Sequence, residues 1–102
     1  MASRRRVSWS RNAYANLDEV LAYVAEDSRE AAIRVLERAL AVADSLATLS
    51  ERGTVVPEVG DRNIRQLLVH RYRLIYEVRS SGVVILAFIH GARDFAARRR
   101  RE

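Results

Sequence analysis

Arg73, His90 and Arg93 are the side chains of this 102-residue chain best suited to work on a phosphate group. Cleavage of RNA by attack of a 2′-hydroxyl needs a base, an acid and positive charge at the phosphate. A histidine with two arginines can supply part of that. His90 ends an apolar run, Val83 to Ile89, and strand ends are common places for functional side chains. The structural alternative is a hydrogen bond from His90 to a strand-end carbonyl or to Asp94. Arg93 and Asp94 can equally form a local ion pair that fixes the chain after the last strand. Arg73 falls on a segment expected near the centre of a sheet, where an unpaired charge is costly.

A second chemistry is nucleic-acid binding. Arg65, Arg71, Arg73, Arg79 and Arg93 cluster along the same stretch, and Trp9, Tyr72 and Tyr76 offer rings for stacking. The alternative is that the tyrosines are core residues of one strand face and the arginines solubilise the other. The tail adds Arg98, Arg99, Arg100 and Arg101, either a solvated end or a contact for phosphate or an acidic protein. All 18 basic residues are arginine and the formal charge is +5, which favours acidic partners. With no lysine in the sequence, no lysine can act as a general base or form a Schiff base. Two distant histidines without cysteine give no metal site, and no phosphate-cradling glycine loop or Ser/His/Asp signature is present. No cofactor is expected.

These residues must be held by a small scaffold. Val7 and Trp9, two apart, predict a short first strand. Ser10 is a helix N-cap candidate, and Ala13, Leu17, Val20, Leu21 and Val24 follow on one helical face. Ser28 can cap a second helix, predicted to run to about Arg52 with Gly53 as its terminator. That helix has two apolar stripes, one of Ile33, Leu36, Leu40, Ala43 and Ala47, the other of Val35, Ala39, Val42, Leu46 and Leu49. One neighbouring surface cannot bury so wide an arc. Residues 54 to 61, with Pro57 and Gly60, read as a loop. Strands are predicted over 63 to 69, 72 to 79 and 83 to 89; the last is apolar on both faces and is expected to be central.

The expected fold is α+β: a helical hairpin packed on a small, mainly antiparallel four-stranded sheet, in the order strand, helix, helix, strand, strand, strand. Residues 1 to 95 form one domain and 96 to 102 a basic tail. No apolar signal core follows the first arginines and no run is long enough to span a bilayer, so a cytoplasmic protein is expected.

The ordered set of motifs carries a family likeness. Val7-x-Trp9-Ser10 precedes Ala-x-x-x-Leu on the first helix and Ser28-x-x-Ala-Ala on the second. Then come Ile64-Arg65-Gln66-Leu67, Tyr72-Arg73-Leu74-Ile75-Tyr76 and His90-Gly91-Ala92-Arg93-Asp94. This resembles the RelE/ParE superfamily of type II toxins, the ParE branch in particular, over about residues 6 to 95. The resemblance implies one of two targets. ParE-type members inhibit DNA gyrase; RelE-type members cut mRNA in the ribosomal A site without metal. Both are neutralised by an antitoxin, here expected to be ParD-like and DNA-binding. RelE-like nucleases use arginines that match Arg73 and Arg93, with lysines and a C-terminal tyrosine that this chain lacks. Gyrase inhibition is therefore favoured, with no catalytic residue expected. Were the chain a nuclease, Arg73, His90 and Arg93 would be its candidates. Arg98 to Arg101 are the expected target contacts. The wide arc of the second helix, with Val35, Val42, Leu46 and Leu49, is the expected antitoxin surface. A harmless homo-oligomeric interaction protein remains the further alternative.

Overall fold

The computed structural model describes residues 4–95. Strand β1 (Val7–Trp9) leads into helix α1 (Arg11–Asp27), helix α2 (Arg29–Ser45) and strands β2 (Thr54–Val55), β3 (Ile64–Val69), β4 (Tyr72–Arg79) and β5 (Gly82–His90). The sheet order is β1-β5-β4-β3-β2, with β1 parallel to β5 and the other pairs antiparallel. The expected α+β architecture is thus present with one strand more. Thr54–Val55, read as loop, pairs with Arg65 and Gln66. A two-residue strand is too short to leave an alternating pattern. The middle strand is β4, and β5 lies between it and β1.

Two serines punctuate the helices. The Ser10 hydroxyl accepts the Ala13 N–H at 3.1 Å. Ser28 serves both helices: its N–H donates to the Val24 carbonyl, closing α1, and its hydroxyl accepts the Ala31 N–H at 3.1 Å, opening α2. The second helix ends at Ser45 rather than near Arg52. The Ser45 hydroxyl donates to the Val42 carbonyl at 2.6 Å, Leu46 N–H reaches back only to Ala43, and the Ala47 carbonyl is taken by Arg5 N–H at 2.7 Å. The last turn tightens so that Leu46 and Ala47 enter the core.

Two apolar layers flank the sheet. The hairpin covers one face, where Ala13, Leu17, Val35, Ala39, Val42 and Leu46 meet Val69, Tyr72, Leu74, Tyr76, Val83, Ile85 and Phe88. A smaller cluster on the back face gathers Val56, Ile64, Ile75, Ala87, Ile89 and Phe95. Phe95, the last residue of the expected domain, is part of the core. Gly53 passes so close to the sheet that a Cβ there would stand 2.6 Å from the Gln66 carbonyl oxygen and 2.7 Å from the Tyr76 hydroxyl. Its N–H donates to that buried hydroxyl at 3.0 Å. Burial raises the Tyr76 pKa above its ordinary value, with the Gly53 N–H opposing the shift.

A bulge in β5 decides which face each later residue occupies. Ile75 pairs with Ala87 but Tyr76 with Ile85, so Leu86 is an extra residue. Beyond it Phe88 and His90 join the hairpin face, opposite Leu74 and Tyr72. Helix α1 anchors the irregularity. The Ser10 hydroxyl lies 3.4 Å from the Leu86 carbonyl, and Asn16 Oδ1 accepts the Phe88 N–H at 3.1 Å. Asn16 is buried, so its loss leaves a buried N–H unpaired. Asn16→Ala should lower the unfolding free energy by about 1–3 kcal/mol in urea titration; an unchanged midpoint would mean that solvent reaches Phe88 N–H.

Candidate functional site

Arg73 is buried, 6% exposed, on the back face of the middle strand. The cost of burying it is offset by a nearly complete set of partners. Its guanidinium forms a fork with Glu58, Nη1 to Oε2 at 2.7 Å and Nη2 to Oε1 at 2.8 Å. Nε donates to Gln66 Oε1 at 2.7 Å, and Nη1 also donates to the Arg93 carbonyl at 2.7 Å. Glu58 Oε2 in turn accepts the Phe95 N–H at 2.9 Å. One ion pair thus ties the 57–60 turn, β3, β4 and the segment after β5. The Arg73 fork holds the Glu58 carboxyl down at about 2, against an ordinary 4.5; burial opposes the shift and the Phe95 N–H adds to it.

Sequence reasoning identified the charge problem at Arg73 but not its solution. Glu58 lay in a segment read as loop, and no periodic pattern tied it to the strand. An arginine inside an apolar strand demands a counter-charge; the sequence offers several acids nearby without choosing among them. Glu77, two residues from Arg79, pairs there instead, at 2.7 Å.

His90 is on the other side of the sheet. Its ring meets Tyr72 edge-on at 6.1 Å between centroids, and Tyr72 stacks on Phe88 at 5.4 Å. Nδ1 accepts the Ala92 N–H at 3.2 Å, and the His90 carbonyl accepts the Arg93 N–H at 3.0 Å. With Nδ1 accepting, a neutral ring carries its proton on Nε2 and has no free acceptor nitrogen. His90 thus has a structural hydrogen bond within a local turn. His90 and Arg93 line an open groove of about 470 Å³ with Glu19, Val20, Tyr23 and Tyr72. Arg93 also borders a second groove on the Arg73 side, with Arg52, Glu58 and Leu68. Arg73 itself lines that second groove, so Arg93 adjoins both Arg73 and His90, while Arg73 and His90 share neither groove. Arg73 faces one side, with four hydrogen bonds from its guanidinium, and His90 the other.

The rings expected to stack on bases divide similarly. Tyr72 and Tyr76 are in the core, while Trp9 stacks on Tyr14 at 5.9 Å. Arg65 turns to the Gly53 carbonyl at 2.9 Å. Arg98 to Arg101 lie outside the described residues. Of the four residues expected on the antitoxin surface, Val35, Val42 and Leu46 are buried within the chain. Their stripe is the one that seats α2 on the sheet, because it faces the apolar strands. Leu49, 58% exposed, and the other stripe's Ile33 and Leu40 remain at the surface. Among the described residues no group of three metal-ligating side chains occurs, and no helix is long and apolar enough to cross a membrane.

A helical hairpin on this sheet is the RelE/ParE class of fold. The solved structure "Chromosomal ParDE TA system from P. aeruginosa" resembles the chain at a TM-score of 0.69 and 20% identity, covering 85% of this chain and 96% of that one. Residues 7–95 match the family described as "ParE toxin of type II toxin-antitoxin system, parDE", and the chain belongs to that family. No curated protein matches the sequence.

The clamp should be visible in stability. Arg73→Met should cost about 3 kcal/mol, since Glu58 is left half-buried without its counter-ion. The depressed Glu58 pKa adds stability that is complete above pH 4.5 and lost as pH falls through about 2, on the order of 3 kcal/mol. Denaturant melts between pH 5 and 2 should show a flatter pH dependence in Arg73→Met than in the wild type. Parallel curves would mean that the pair contributes nothing to acid sensitivity.

Proposed function

We propose that this protein is a toxin that inhibits DNA gyrase in the cytoplasm and is held inactive by a cognate, ParD-like antitoxin. Membership of the ParE family supports the toxin reading. The observation that carries the choice of target is the state of Arg73. Glu58, Gln66 and the Arg93 carbonyl occupy its donors, so it has little left to offer a phosphate in transit. His90 stands across the sheet from it, with Nδ1 used in a turn. A metal-independent nuclease would need both on one substrate.

The target contacts are assigned to Arg98, Arg99, Arg100 and Arg101, whose charge suits an acidic protein surface or DNA held by the enzyme. The antitoxin is assigned to the exposed apolar side of the hairpin and its exit, where Ile33, Leu40 and Leu49 are exposed.

Purified toxin freed from its antitoxin should block gyrase supercoiling while leaving an in vitro translation reaction untouched. Arrested translation with cut mRNA and normal supercoiling would instead make it a nuclease, with Arg73, His90 and Arg93 as its catalytic residues.

A further inference from the structure

The chain after β5 is gripped from outside its own segment. Arg93 C=O is held by Arg73 and Phe95 N–H by Glu58, so the two backbone groups that flank Asp94 are both bound to one ion pair. Between them Glu58 and Arg73 leave the segment little choice of direction. Phe95 is then driven into the back-face cluster against Val56, Ile64, Ile75, Ala87 and Ile89. The upstream end is fixed separately, by Gly91 N–H on the Arg71 carbonyl at 2.9 Å. Glu58 itself comes from the turn between β2 and β3, which is closed by Val59 and Gly60 N–H groups on the Val56 carbonyl. A turn far from the C-terminus in sequence thus supplies the acceptor that orients it.

We propose that Glu58 is a positioning residue for toxicity: paired with Arg73, it fixes the chain at Arg93 to Phe95, the segment that precedes in sequence the basic residues assigned to the target. The proposal deepens the reading of Arg98 to Arg101 as target contacts and rests on it. Glu58 touches no target itself. A fork on Arg73 leaves one oxygen able to accept from Phe95 as well, and no neutral side chain offers two such acceptors with a charge. The clamp holds across the physiological range, because the Glu58 carboxyl is ionised down to about pH 2. Toxicity should therefore not vary with pH through this pair.

The test uses the full chain with Glu58→Ala, and Glu58→Gln as a second variant that keeps an acceptor for Phe95. Two quantities are read on each: backbone amide exchange by residue, and growth arrest of host cells after induction. In Glu58→Ala, exchange at Phe95 should rise about tenfold or more, while Phe88 and Gly91 keep their wild-type rates. Growth arrest should weaken in the same variant and be partly restored in Glu58→Gln. A core that loosens as much as Phe95 would make Glu58 merely structural and overturn the proposal. So would unchanged exchange at Phe95, or loosened exchange with full toxicity, or a wild-type chain that does not arrest growth. Growth arrest does not presuppose gyrase. A toxin that spares supercoiling but needs Glu58 would sink the target assignment and leave the positioning role standing.

Discussion

A guanidinium buried in the middle strand of a small sheet has to be neutralised, and the back half of this molecule is arranged around that requirement. Glu58 must be ionised and within reach, so the turn after β2 is drawn over the sheet. Gln66 must face the same side, which fixes the parity of β3. The segment after β5 must offer a carbonyl, so it folds back across the strand ends instead of continuing outward. An isolated buried charge would cost far more than the modest net stability of a domain this size. The pair is therefore better understood as a constraint on geometry than as a surplus of stability. Replacing it by well-packed apolar residues is often neutral in other proteins, whereas removing one partner is not.

The same constraint sets Arg73 apart from His90, two of the side chains suited to work on a phosphate group. Arg73 is engaged on the back face, whereas His90 lies on the hairpin face, with its Nδ1 accepting the Ala92 N–H. Here the Arg73 side chain acts as an internal tie. Among the described residues, Ile33, Leu40 and Leu49 are exposed apolar side chains on the hairpin and its exit.

Much of the architecture could be read from local pattern. The hairpin, with Ser10 and Ser28 as caps, and the three long strands follow from periodicity and punctuation. The strand of Tyr72, Leu74 and Tyr76 was legible as a core face for the same reason. What escaped depends on contacts remote in sequence. The end of α2 is set by where Leu46 and Ala47 find the core, the strand Thr54–Val55 exists only because β3 offers an edge, and Glu58 matters only because Arg73 arrives opposite it. The two stripes of α2 are a sharper case. Both are apolar, so composition could not say which would be buried; the sheet took Val35, Val42 and Leu46 and left Ile33 and Leu40 outside. Asn16 was invisible in a different way, since a polar residue on a helix is ordinarily solvated and nothing in the pattern marks one that completes a strand.

The last strand is apolar on both faces, and this has a consequence for where information is kept. A regular ladder through Val83 to His90 would put valine, isoleucine and alanine on one side and valine, leucine and phenylalanine on the other, two arrangements of similar hydrophobic content. The strand's own residues therefore do not specify their orientation beyond the bulge. The specification comes from Ser10 and Asn16, which take the carbonyl of Leu86 and the N–H of Phe88. The address of His90 is thus written at the beginning of the chain, in a serine and an asparagine bonded to the strand ahead of it.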